Sequence, residues 1–185
     1  IHTWAQLAAH ISLESLVILG DAILTAIARK PGLANGRTAD GIYQDFVRQV
    51  TELPKFNAKS KCMIALAFIT PRVDSPMESK TRIATTKYGL PPAVTNYTVP
   101  GATFSNGAPI TLDLAWPEFR VAIEYDGDHH RTDKNQWRRD NDKRELLRHH
   151  HWIVIIATAA NMADEPSQAE LAYRVGRQLA LRGAV

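Results

Sequence analysis

Apolar positions recur with a helical period through the first third of the chain. From Ser12 to Arg29 they dominate behind a serine suited to an N-cap, and Lys30-Pro31-Gly32 stops the run. Thr38 to Leu53 repeats Ile42, Phe46, Val50 and Leu53 at helical spacing and ends at Pro54. Asn57 to Ile69 predicts a third helix, ended by Thr70-Pro71. Short connections favour antiparallel neighbours. Residues 1–70 therefore read as an all-helical N-terminal region, and nothing in it suggests chemistry.

The pattern changes after Pro71. Ser75-Pro76-Met77-Glu78 predicts a helix start: serine as N-cap, proline at the first helical position, and glutamate completing a capping box. That helix runs to Tyr88, stops at Gly89 and is expected to bury Met77, Ile83 and Tyr88. Three strand-like runs follow. Val94 to Val99 alternates loosely. Ile110 to Trp116 sets Ile110, Leu112 and Leu114 against Thr111, Asp113 and Ala115. Arg120 to Asp126 sets Val121, Ile123 and Tyr125 against Ala122, Glu124 and Asp126, and the short link through Pro117 makes the last two strands a hairpin. Thr132 caps a strongly polar helix from Asp133 to about His150. Trp152 to Ala157 is continuously apolar and reads as a central strand. An amphipathic helix, Ala163 to Leu181, closes the chain. Residues 71–185 thus form one α/β domain: helix, three-strand meander, helix, strand, helix.

Composition narrows the class. With 45% hydrophobic and 22% charged residues among 185, the chain can build a real core. No apolar run reaches about 18 residues, so no membrane span is expected. Cys62 stands alone, which excludes an internal disulfide framework and a cysteine zinc site. No signal-peptide pattern opens the chain, and a cytoplasmic location is the expectation. The chain begins at Ile1 rather than methionine, which leaves room for an upstream domain. Net charge is only +3, but Arg131, Lys134, Arg138, Arg139, Lys143, Arg144 and Arg148 crowd one segment.

The chemistry concentrates in "VAIEYDGDHHRTD", Val121 to Asp133. Glu124 and Asp126 share a strand face, roughly 7 Å apart at the backbone. Asp113 lies mid-strand in an apolar run, where an unpartnered carboxylate is costly. Registers that align Leu112 and Leu114 with Ile123 and Tyr125 also bring these acids together; a one-residue slip separates them. Clustered carboxylates need a cation or a proton to offset their repulsion. Hard oxygen donors suit Mg²⁺, Mn²⁺ or Ca²⁺. Such an ion can activate a water against a phosphodiester.

Glu78 ahead of Asp113 and of Glu124-Tyr125-Asp126 resembles the PD-(D/E)xK restriction-endonuclease-like nucleases. "IEYDGDHH" is most similar to their very-short-patch-repair (Vsr-like) branch, and "SPMES", "LDLAWP" and "RRDNDKRELLRHHHW" are similar to actinobacterial endonuclease-domain proteins. The resemblance covers roughly residues 73–160. It implies a restriction-endonuclease-like core and Mg²⁺-dependent cleavage of DNA, with Mn²⁺ as a substitute ion, and a winged-helix domain upstream. It implies that Asp113 is the central metal ligand and Glu124 the second acid. Asp126 stands at the lysine position, Glu78 is the helix acid, and His130, or His129 beside it, moves protons. Leu112 replaces the proline of the family name. Asp126 in place of lysine removes a cation, as in the Vsr-like branch. Ile156 stands where related sequences often carry arginine.

Plainer readings compete. Glu78 can serve only as a helix cap, and a side chain folded onto its own helix end cannot also reach a metal. Asp126-Gly127-Asp128 can be merely a turn. His149, His150 and His151 point about 100° apart on a helix, so they suit a C-terminus better than one metal ion. Arg131, Lys134 and Arg138 are predicted to meet a phosphate backbone, although acids on the same helix allow a salt-bridged solvent face. The second functional class is a nuclease-like module that binds nucleic acid or a partner protein without cutting, as a regulator or antitoxin.

Overall fold

A computed structural model of the chain describes residues 1–127 and 134–184, and for 134–138 the backbone alone. The chain divides into two compact units, Ile1–Ile83 and Ala84–Val185. The division falls within a helix, later than the change of pattern at Pro71.

The first unit is helical. Helices α1 (His2–Leu7), α2 (Leu13–Ala28), α3 (Pro31–Ala34), α4 (Ala39–Glu52) and α5 (Lys59–Leu66) precede α6 (Pro76–Lys87). Local chemistry sets their starts. The Ser15 N–H donates to the Ser12 hydroxyl over 3.0 Å, and the Gly41 N–H to Thr38 Oγ1 over 3.1 Å. Trp4 fills the centre, edge-on to Phe46 at 5.1 Å, and its indole N–H donates to the Leu16 carbonyl. Leu16, Leu24, Val50 and Cys62 are buried around it.

Beneath this core lies a buried ion pair. Asp21, in the middle of α2, meets the Arg82 guanidinium at 2.7 Å and also accepts from the Ser79 hydroxyl and the Thr70 N–H. This network draws the first half of α6 into the helical unit, which is why the division falls inside that helix. The buried residues of α6 are mostly polar: Ser79, Thr81, Arg82 and Thr85, with Ala84. Met77, Ile83 and Tyr88, expected as its buried face, are only partly covered.

The second unit is mixed α/β. Its strands are β1 (Val94–Thr103), β2 (Pro109–Trp116), β3 (Val121–Tyr125) and β4 (Ile153–Ala157), in sheet order β1-β2-β3-β4. β1, β2 and β3 form an antiparallel meander, and β4 pairs with β3 in parallel. Helix α7 (Lys134–His149) crosses between β3 and β4; α8 (Glu165–Leu181) follows a short 3₁₀ turn. β4 was expected to be central and is instead an edge strand of this sheet. Its apolar character has another cause: α7 and α8 both pack against it. Leu171, Val175 and Leu179 of α8 are buried. Contacts within the unit anchor its first residues. The Tyr88 hydroxyl donates to the Glu165 carbonyl, Lys87 pairs with the Glu165 carboxylate, and the Trp116 indole donates to the Pro91 carbonyl. Among the described residues, no helix is long and apolar enough to cross a membrane.

Candidate active site

The hairpin register decides where the acids stand. β2 and β3 pair as Leu114 with Ile123, Ala115 with Ala122 and Trp116 with Val121. One further step in that register sets Asp113 opposite Glu124. The apolar faces match as the alternation demands, and the two carboxylates become cross-strand neighbours. The Tyr125 N–H donates to Asp113 Oδ2 at 2.8 Å, so Asp113 also satisfies the backbone at the end of β3. Asp126 follows at once, its N–H donating to the Ala157 carbonyl of β4.

These residues open into a cavity of about 190 Å³ at the C-terminal ends of the parallel strands. Asp113, Glu124, Asp126 and Ile156 line it from the sheet; Asp140, Lys143 and Arg144 line it from α7. Lys143 is the finding that the sequence spacing did not expose. Its ammonium donates directly to Glu124 Oε1, and both side chains are about four-fifths buried or more, at 21% and 16% exposure. Lys143 therefore brings a cation to Glu124 from a helix, whereas the strand offers Asp126 at the expected lysine position. Tertiary structure alone reveals this. The available signal was the basic crowd on α7, in which Lys143 was one cation among many.

The Glu124 carboxyl is held above the ordinary glutamate range. Burial is the main cause, and the nearby charges of Asp113 and Asp140 push the same way. Lys143 opposes them as charge partner and hydrogen-bond donor. Because the folded-state value lies above the unfolded one, the ionised form withdraws stability as pH rises through the folded value. Metal-free protein should lose stability through this group on going from acidic towards neutral pH. In Asp113→Asn the Glu124 carboxyl should titrate lower and that loss should shrink. Carboxyl-carbon NMR, with denaturation at each pH, checks both; an unmoved Glu124 titration would contradict the proximity of the two acids.

The remaining candidates lie elsewhere. Glu78 closes the N-terminus of α6: Glu78 Oε2 accepts from the Asp74 N–H at 2.9 Å, and the Glu78 N–H donates to the Ser75 hydroxyl. His129, His130 and Arg131 lie outside the described residues, as do the side chains of Lys134 and Arg138. His149 ends α7, with His150 and His151 directly after it. Among the described residues, no three acidic, histidine or cysteine groups stand close enough to hold a metal ion together. The metal expectation thus rests on the Asp113–Glu124 pair, within the one or two carboxylates that Mg²⁺ commonly takes from protein.

No family model and no solved structure matches the chain. Two curated proteins of Mycobacterium tuberculosis, from strains CDC 1551 and H37Rv, are similar to it: the uncharacterized proteins MT2308 and Rv2248. Each is 29% identical over 114 residues, 62% of this chain. The matched stretch is 40% of each relative's length, so the chain spans about two fifths of the proteins it resembles.

Proposed function

We propose that the chain is a metal-dependent endonuclease that hydrolyses phosphodiester bonds in DNA, built on a restriction-endonuclease-like core. The supporting observation is the pairing of Asp113 with Glu124 across β2 and β3, in an open cavity where a third element delivers Lys143. The donor set fits a hard divalent ion: two carboxylates, one of them mostly buried, with its pKa raised chiefly by that burial and further by Asp113 and Asp140. Asp113 and Glu124 would hold Mg²⁺ or Mn²⁺. The bound ion would supply a polarised phosphodiester and a more acidic water there.

The chain's own groups supply the rest. Lys143 faces the same cavity and offsets negative charge as it grows on the phosphate. Arg144, exposed on the α7 side of the cavity, would neutralise a phosphate oxygen of the approaching strand. Ile156 contributes an apolar wall where an arginine stands in similar nucleases; it limits water around Glu124 and leaves phosphate contact to α7. His130, with His129 as its alternative, is proposed to carry the proton to the leaving oxygen.

Lys143→Met should reduce cleavage roughly a hundredfold, in the range for deleting one preorganised charge partner. It should also raise the Glu124 titration midpoint, since Lys143 holds it down. Both effects are read from plasmid nicking and carboxyl NMR on the same preparation. Wild-type nicking by Lys143→Met would remove lysine from the mechanism.

Two observations favour a second reading. Lys143 already offsets Glu124 without a metal ion, and Glu78 is engaged at its own helix end. Both suit a nuclease-like module that binds nucleic acid or a partner without cutting. Titration calorimetry with Mg²⁺ and Mn²⁺ separates the two. Binding abolished by Asp113→Asn supports the nuclease; no binding at millimolar ion supports the module.

A further inference from the structure

A second cavity, of about 400 Å³, shares no lining residue with the carboxylate cavity. Arg120 and Trp152, which line it, immediately precede β3 and β4, whereas Glu124, Asp126 and Ile156 lie towards the strands' C-terminal ends. Some 13 Å of strand separates Arg120 from Glu124, at roughly 3.3 Å per residue. Tyr97, Val99 and Pro100 of β1, Pro117 of the hairpin turn, and His149, His150 and His151 complete the lining. Nothing in the proposed cleavage uses these residues.

Their chemistry is one-sided. The lining holds a guanidinium and three imidazoles and no carboxylate. Arg120 is exposed and forms no ion pair among the described residues. A helix C-terminus ordinarily repels an anion, but here the end of α7 is closed on itself. The Trp152 N–H donates to the Leu147 carbonyl and the His151 N–H to the Arg148 carbonyl. His151 takes the left-handed conformation that this closure needs, with φ of 61°. Those two carbonyls are therefore occupied. Arg120 is also left-handed, with φ of 50°, in the turn that carries it to the rim.

The other half of the lining is aromatic. Tyr97 and Trp152 rings lie 5.6 Å apart, tilted by 43°, and Tyr97 stays partly exposed. Pro100 and Pro117 add apolar walls. The volume lies in the ordinary range for a small-molecule site. A guanidinium and imidazole nitrogens beside an aromatic face match a flat ring joined to a phosphate.

We propose that this cavity binds a nucleoside monophosphate unit, with the phosphate at Arg120 and the imidazoles and the base against Tyr97. Such a unit is supplied either by a free nucleotide or by the phosphorylated end of a nucleic-acid strand. The proposal stands apart from the nuclease reading, and it is tested in chelator, where the metal plays no part. Adenosine 5′-monophosphate is titrated into the full chain and followed by NMR of the histidine side chains. Saturation is expected, with adenosine and inorganic phosphate each weaker. Arg120→Asn, which keeps a residue tolerant of positive φ, should weaken binding roughly tenfold, as loss of a charge-assisted hydrogen bond would. His150→Gln should weaken it in the same direction, and Asp113→Asn should leave it unchanged. Circular dichroism verifies the fold of each variant, and His150→Gln carries the test if Arg120→Asn fails to fold. A 5′-phosphorylated oligonucleotide that displaces the nucleotide better than its 5′-hydroxyl form identifies a strand end as the source; failure of both to displace it identifies the free nucleotide. The proposal is overturned by no binding at about 5 mM, well beyond a millimolar Kd. It is equally overturned if inorganic phosphate binds as tightly as the nucleotide, or if the folded variants bind like wild type.

Discussion

Asp113→Asn should lower Mg²⁺-dependent nicking of supercoiled plasmid by roughly a thousandfold or more, the upper end for removing one preorganised charge-stabilising group. Asparagine keeps the size of the side chain and can still accept from the Tyr125 N–H, so the end of β3 should hold. The loss is therefore chemical rather than structural. Removing one of two adjacent carboxylates also relieves repulsion on Glu124, whose pKa Asp113 helps raise. The variant should accordingly be no less stable than wild type at neutral pH in chelator. That pairing of outcomes discriminates. Lost activity with unchanged or raised stability supports a ligand role for Asp113. Lost activity with lost stability makes Asp113 a structural cap of β3. Undiminished Mg²⁺-dependent nicking by a folded Asp113→Asn would end the nuclease assignment at this site.

How far the sequence carries depends on how local each determinant is. Element starts were legible where one side chain closes one turn, as at Ser12, Thr38 and Ser75. The meander was legible from alternation, which limited the hairpin to registers that bring Asp113 near Glu124. Alternation alone does not choose between the observed pairing and one shifted by two residues, because both bury the same faces. The position of β4 was not legible, since a strand covered by helices on both faces reads as apolar whether or not another strand flanks it. Lys143 was hidden for a related reason. A lysine on a charged helix has the same local pattern whether it meets solvent or a buried glutamate. Asp21 carries the signal seen at Asp113, an acid in an apolar element, but its partner Arg82 lies far along the chain and no spacing rule links them.

That pair gives the largest stability effect expected. Asp21→Ala should destabilise the helical unit by about 3–5 kcal/mol, the range for removing one member of a buried ion pair. The size follows from what remains. The Arg82 side chain is 11% exposed and would lose its carboxylate partner while still largely out of water. The Ser79 hydroxyl and the Thr70 N–H lose an acceptor at the same time. Ionised Asp21 is itself expensive: burial pushes its carboxyl upward, against the pull of Arg82, Ser79 and Thr70. The pair is thus a poor source of net stability yet costly to break from one side. The double variant Asp21→Ala with Arg82→Met should recover part of the loss, because it also removes the buried charge that has lost its carboxylate. Denaturant unfolding of wild type, both single variants and the double variant forms the cycle that measures it. Purely additive losses would show that Asp21 and Arg82 contribute independently, and that the ion pair is not what ties α6 to α2.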